Sequence, residues 1–211
     1  MSLIKIAISQ RVEHISAYQE YRDCLDQEWL VLLEKLGFIV LPIPNKLSDP
    51  SAWLMQNHIE GIILSGGNDL SCFEGGSNIS ETRDQLELAL LNWSEKMQIP
   101  VIGICRGMQL INFRQKGGFV KVKGHVACEH ELEKTDGLFS GYVAVNSYHD
   151  WAISEDQLGE QLVLLAKSKD SVVEAIKHQY LPWLGIMWHP ERKSSSYDLD
   201  CNLIKSHFKR K

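Results

Sequence analysis

Apolar residues in the first half of the chain fall alternately into short continuous runs and into helical spacing. Residues 4–9 form the first run and read as a strand. Over residues 18–36, Tyr18, Tyr21, Leu25, Trp29, Leu32, Leu33 and Leu36 recur at helical steps, which predicts one long helix closed by Gly37. Residues 38–42 then form a second strand, 48–57 a short helix and 61–65 a third strand. A second long helix over 82–97 carries Leu86, Leu90, Trp93 and Met97 on one face. The run Pro100 to Ile104 follows as a short buried strand and leads straight into another helix. This βαβαβαβ order predicts a parallel sheet with helices on both faces.

After about Gly117 the pattern changes. Shorter strands are expected at 142–146, 162–166, 172–177 and 183–188, and a final helix at 198–209 packs back onto the sheet. No linker, repeat or low-complexity stretch interrupts the chain, and 211 residues suffice for one sizeable core. The expectation is a single α/β domain over residues 1–211, doubly wound and mostly parallel.

Composition narrows the partners. With 22 basic and 27 acidic side chains, no strong positive field favours nucleic acid. Lys205, His207, Lys209, Arg210 and Lys211 read as the solvated end of the terminal helix, where cations are favoured. Five cysteines are an odd number and none forms a C-x-x-C pair, so neither a disulfide framework nor a zinc site is expected. A reducing cytoplasm suits them. The start, Met1-Ser2-Leu3-Ile4-Lys5, has no long apolar core of a secretion signal, and no apolar run reaches membrane-spanning length. No membrane partner is expected. No organic cofactor and no metal are expected either, because no group of His, Cys and carboxylates shows ligand spacing.

The chemistry concentrates in Pro100-Val101-Ile102-Gly103-Ile104-Cys105-Arg106-Gly107-Met108-Gln109. Glycines two before and two after Cys105 allow a sharp strand-to-helix turn, the pattern of a nucleophile elbow with cysteine in place of serine. A cysteine at a helix N-terminus gains from unpaired N–H groups and the positive end of the dipole, which favour its thiolate. A buried structural cysteine is the competing reading. A thiol nucleophile needs a base, and the base an orienting group. His189-Pro190-Glu191 follows an apolar strand, and residues i and i+2 of an extended segment share a side. Glu191 can then fix the tautomer of His189. The other histidines lack this arrangement; His149 has Asp150 beside it, but adjacent strand residues face opposite ways. Ser65-Gly66-Gly67-Asn68-Asp69 follows another strand and permits close backbone approach to a ligand. The N–H groups of Gly67 and Arg106 are the candidate oxyanion donors. All these segments belong at the carboxyl edge of the sheet, where open α/β sheets bind ligands.

Together these segments resemble the class I glutamine amidotransferase superfamily, and within it the γ-glutamyl hydrolase branch. The resemblance rests on SGGND (65–69), RDQLELALL (83–91), PVIGICRGMQLIN (100–112), VNSYHDWAI (145–153) and GIMWHPER (185–192). It implies a flavodoxin-like fold, no cofactor, Cys105 as nucleophile, His189 as base and Glu191 as its partner. It implies an oxyanion hole at Gly67 and Arg106. Gly66, Asn68, Gln109, Asn146, Ser147 and Tyr148 are implied to hold the glutamyl group. The implied reaction is hydrolysis of a small-molecule γ-glutamyl amide, through a thioester, to release glutamate. The loops at 70–81 and 113–125 are short for the branch and leave the leaving group open. A nucleotide phosphoramidate is one expected substrate. Arg11, which follows the first strand, is then the residue to grip phosphate, helped by Arg22 from the first helix; a plain surface arginine is the other reading. Two other functions stay open: a glutaminase subunit feeding ammonia to a separate synthetase, and a non-catalytic binding protein on the same scaffold. Trp151 and Trp183 are expected either in the core or at a homodimer interface.

Overall fold

The computed structural model describes residues 3–134 and 137–209; Met1, Ser2, Arg210 and Lys211, which figure in the expectations for the two ends, lie outside them. β1 (Lys5–Ile8) pairs in parallel with β4 (Ile39–Pro42) on one side and β5 (Gly61–Leu64) on the other. β5 pairs in parallel with β6 (Val101–Ile104), and β6 with β13 (Trp183–Ile186). From β13 the nine-stranded sheet continues antiparallel through β12 (Val173–His178), β11 (Leu162–Ser168), β8 (Val126–Lys134) and β9 (Ala144–Tyr148). A short pair, β7 (Val120–Lys121) with β10 (Trp151–Ala152), flanks this half.

The parallel strands are continuous apolar runs because helices cover both of their faces. Ile6, Ile8, Ile62, Leu64, Ile102 and Ile104 are all buried, each worth about 1.5–3 kcal/mol against exposure. The covering helices are α1 (Gln27–Lys35), α2 (Pro50–Gln56), α3 (Glu81–Met97), α4 (Arg106–Arg114) and α5 (Tyr197–Phe208). α1 turns Trp29, Leu32 and Leu33 into the core. Ser80 caps α3 through Arg83 N–H, and Gln98 ends it in the left-handed region at φ 54°. α5 is anchored by Asp200, whose Oδ1 accepts from Trp188 Nε1 and Tyr142 Oη, both at 2.9 Å. No helix among the described residues is long and apolar enough to cross a membrane.

The structure corrects the first helix. Residues 18–24 are not helical: β2 (Arg11–Ile15) and β3 (Glu20–Cys24) form an antiparallel hairpin, and α1 starts only at Gln27. Asp26 starts it there, its side chain accepting from Glu28 N at 3.1 Å. Tyr18 and Tyr21 continue the helical spacing but are 68% and 70% exposed, so they have no core face to bury. Arg22 accordingly stands on the hairpin, paired with Glu20 at 2.7 Å, and not on a helix beside the sheet edge. Farther on, β9 begins two residues later than the pattern suggests, and β8 is absent from it altogether. Trp183 is a core residue, donating to Ser94 Oγ at 2.8 Å, while Trp151 stacks on Phe73 at 4.4 Å.

Candidate active site

Register brings the predicted residues together. Ile104 ends β6 opposite Ile186, which ends β13, so Cys105 lies one residue and His189 three residues past neighbouring strand ends. Cys105 has φ 51° and ψ −103°, a conformation L-residues seldom adopt, and its N–H donates to Ile186 O at 2.8 Å. The flanking glycines work by proximity rather than by unusual dihedrals. A Cβ on Gly103 would lie 2.6 Å from the Gly107 carbonyl carbon, and one on Gly107 would overlap the Leu64 carbonyl. Strand and helix meet backbone to backbone at the turn.

His189 is buried and held at both ends. Asn146 Oδ1 accepts from its N–H at 2.8 Å, and Asn146 Nδ2 donates to its carbonyl at 2.9 Å. Its Nδ1 lies 2.7 Å from Glu191 Oε1, and a carboxylate can only accept, so Nδ1 carries the proton and Nε2 is left for Cys105. Burial alone raises the thiol pKa, but the hydrogen bond and charge of His189, with the Arg106 N–H, outweigh it. The Cys105 thiol therefore titrates below its ordinary value. Burial likewise opposes charge on His189, but Cys105 and Glu191 hold the imidazole above its ordinary value. Both shifts favour the thiolate–imidazolium form of the pair.

The turn after β5 is set by one buried guanidinium. Arg83 donates from Nη2 to Ser65 O at 2.6 Å and Gly66 O at 3.1 Å, and from Nη1 to Gly67 O. Three consecutive carbonyls thus face Arg83, on the side of α3. A Cβ on Gly66 would lie 2.7 Å from His189 Cε1, so only glycine lets the turn approach the imidazole. Arg83 pairs with Glu87 at 2.9 Å, and Arg106 pairs with Glu87 and Asp84. Arg106 thereby turns its side chain under α3 while its N–H supports the thiol. A cavity of about 690 Å³ opens over these groups, lined by Gly66, Gly67, Cys105, Arg106, His189 and Glu191.

Residues 23–206 match the profile of the family described as Glutamine amidotransferase class-I. The chain belongs to this family. A γ-glutamyl-CDP-amidate hydrolase from Campylobacter jejuni subsp. jejuni is 37% identical to it over 194 residues, 90% of each chain. A γ-glutamyl-γ-aminobutyrate hydrolase from Escherichia coli O157:H7 is 26% identical over 208 residues, 83% of this chain and 81% of the other. The crystal structure of a glutamine amidotransferase from Thermotoga maritima superimposes with a TM-score of 0.66 at 16% identity, over 98% of this chain and 84% of the other, and so shares the fold.

In this chain the remaining predicted residues divide. Tyr148 lines the cavity with its ring edge toward His189 at 5.7 Å, and Gln109 lines it while donating to Trp151 O at 2.7 Å. Arg11 also lines it, 52% exposed along its side chain and 2.9 Å from Glu13. Asn68 touches the cavity, but its side chain bridges Val12, Asn78 and Arg83 and so ties the hairpin to the turn. Two residues expected to hold the glutamyl group turn their side chains elsewhere. The Asn146 side chain is spent on the His189 backbone, and Ser147 is fully buried with its hydroxyl donating to His125 O at 2.6 Å. Neither side chain lines the cavity. Sequence reasoning also missed residues here. Arg83, Asp84 and Glu87 sit at i, i+1 and i+4 beside the apolar Leu86 and Leu90, and charges on a core-facing stripe signal a buried network. His149 and Arg192 line the cavity as well, with the Arg192 guanidinium 3.8 Å over the Tyr148 ring.

Proposed function

We propose that this chain hydrolyses a γ-glutamyl amide through a thioester on Cys105. The observation that carries the reading is a buried thiol with lowered pKa, beside an imidazole fixed by Glu191 at 2.7 Å, under an open cavity. The thiolate attacks the γ-carbonyl carbon, and the developing oxyanion is met by the N–H groups of Gly67 and Arg106. The C–N bond breaks as the imidazolium of His189 gives its proton to the leaving nitrogen. His189, again neutral, takes a proton from water; the hydroxide attacks the thioester, and glutamate leaves with Cys105 restored as thiolate.

For the leaving group, a nucleotide phosphoramidate is the favoured reading. The name of the 37% identical relative supports it, as do Arg11 and Arg192 in the cavity wall, since guanidinium forks suit phosphate oxygens. The test is glutamate release by the isolated chain from γ-glutamyl-CDP-amidate, glutamine and a γ-glutamyl anilide. Cys105→Ala should lower kcat by about 10⁴-fold or more with the fold intact by circular dichroism. Retained activity in that variant would remove the thioester. Activity that appears only when a synthetase is added would assign the chain to ammonia supply instead.

A further inference from the structure

Behind the cavity wall, four ionisable side chains converge from separate segments. His125 precedes β8, His130 lies on it, His149 follows β9 and Glu174 lies on β12. One ligand atom from each falls within 4.8 Å of the others. His125, His149 and Glu174 are 3%, 5% and 0% exposed, and His130 is partly buried.

Their hydrogen bonding leaves a gap that a cation fits. His125 Nε2 lies 2.8 Å from Asp170 Oδ2, and His149 Nδ1 lies 3.1 Å from Trp151 O. Both partners accept only, so in the neutral rings these nitrogens carry the proton, and His125 Nδ1 and His149 Nε2 offer their lone pairs. Those two atoms, and both oxygens of Glu174, are buried without a hydrogen-bond partner. The approach of His149 Nε2 to Glu174 Oε1, at 3.7 Å, is longer than a hydrogen bond. Buried carboxylates and imidazoles in this state are costly unless something electropositive joins them. Moreover, an outer carboxylate or carbonyl fixing each ring by its far nitrogen is the outer shell that orients metal-binding histidines.

We propose that His125, His130, His149 and Glu174 form a binding site for a divalent first-row transition metal, with zinc preferred. Three imidazoles and one carboxylate are a tetrahedral donor set for Zn²⁺. Bonds of about 2.0–2.1 Å put neighbouring ligand atoms roughly 3.3 Å apart, which small side-chain rotations reach from the present spacing. Glu174 and Asp170 balance the two positive charges. The ion joins β8, the β9–β10 turn and β12, stapling the wall that carries His149 and Tyr148 into the cavity. The expectation of no metal rested on spacing along the sequence. Here the ligands come from positions 125, 130, 149 and 174, which only the fold unites.

The experiment is titration of the full chain, stripped by chelator, with Zn²⁺ and with Co²⁺. One equivalent of Co²⁺ should bind with tetrahedral visible bands, and Zn²⁺ should displace it. At a hundredfold excess over Kd, Zn²⁺ should raise Tm by roughly 5–10 °C. The half-exposed Asp170 tolerates replacement, and Asp170→Asn should weaken binding 10- to 100-fold; His130→Gln should abolish the tetrahedral bands. The proposal falls if wild type binds less than about a tenth of an equivalent. It also falls if both variants, folded by circular dichroism, bind as wild type does. Neither readout depends on the substrate or on Cys105.

Discussion

Cys105 and His189 define each other's protonation. The thiol lies below its ordinary value and the imidazole is raised to about 10, so both shifts favour the ion pair. It is lost on the acid side as the thiolate protonates and on the alkaline side as the imidazolium deprotonates, both as properties of the pair. The rate of Cys105 alkylation by iodoacetamide should therefore reach half-maximum well below the ordinary thiol value of 9.0. In His189→Asn that midpoint should move upward; an unchanged profile would separate the two groups. Arg11 makes a different prediction at this scale. Arg11→Ala should reduce kcat/KM for γ-glutamyl-CDP-amidate at least tenfold more than for a neutral γ-glutamyl anilide, and equal losses would assign it to the scaffold.

Among the elements, α5 depends most on one polar residue. Burial pushes the Asp200 carboxyl up to about 6, although Trp188, Tyr142 and Ser196 all donate to it. A raised folded pKa means that its contribution to stability is complete below 3.8 and lost as pH rises through about 6. Asp200→Asn keeps an oxygen for Trp188 and Tyr142 and should remove that slope from urea unfolding between pH 4 and 7. Asp200→Ala removes the acceptor of Trp188, Tyr142 and Ser196 and should cost about 2–4 kcal/mol. The parallel strands were legible in the sequence because burial on both faces makes them unbroken apolar runs. The β2–β3 hairpin was not: its tyrosines fall at helical spacing but stand mostly exposed, outside the core. β8 escaped because residues 126–134 alternate charged and apolar positions too irregularly, a shift between Val126 and Cys128 breaking the period.

For the molecule as a whole, the Arg83–Glu87–Arg106–Asp84 network joins α3, α4 and the Gly66–Gly67 turn. Burial raises the Glu87 pKa, but Arg106 and Arg83 outweigh it and hold the carboxyl below its ordinary value. Its stabilisation is thus present above about pH 4.5 and lost as pH falls through the lowered folded value. Glu87→Ala strands two buried guanidinium groups and should cost about 3–5 kcal/mol by guanidinium chloride unfolding at pH 7. Of the site, Cys105, His189 and Glu191 were legible because local spacing dictates their geometry. The partners of Asn146 and Ser147 were not, because they lie 43 and 22 residues away, whereas the Arg83, Asp84 and Glu87 stripe was a signal passed over. The network has a further consequence. Since Arg106 follows Cys105 directly and is locked under α3, undocking of α3 would displace the elbow from His189, whose hydrogen bond and charge do most to lower the thiol pKa. A chain still folding, or opening locally, carries an ordinary and far less reactive cysteine. Reactivity at neutral pH then serves as a gauge of native structure, and the protein is guarded from stray acylation or oxidation at Cys105 until it can use that sulfur.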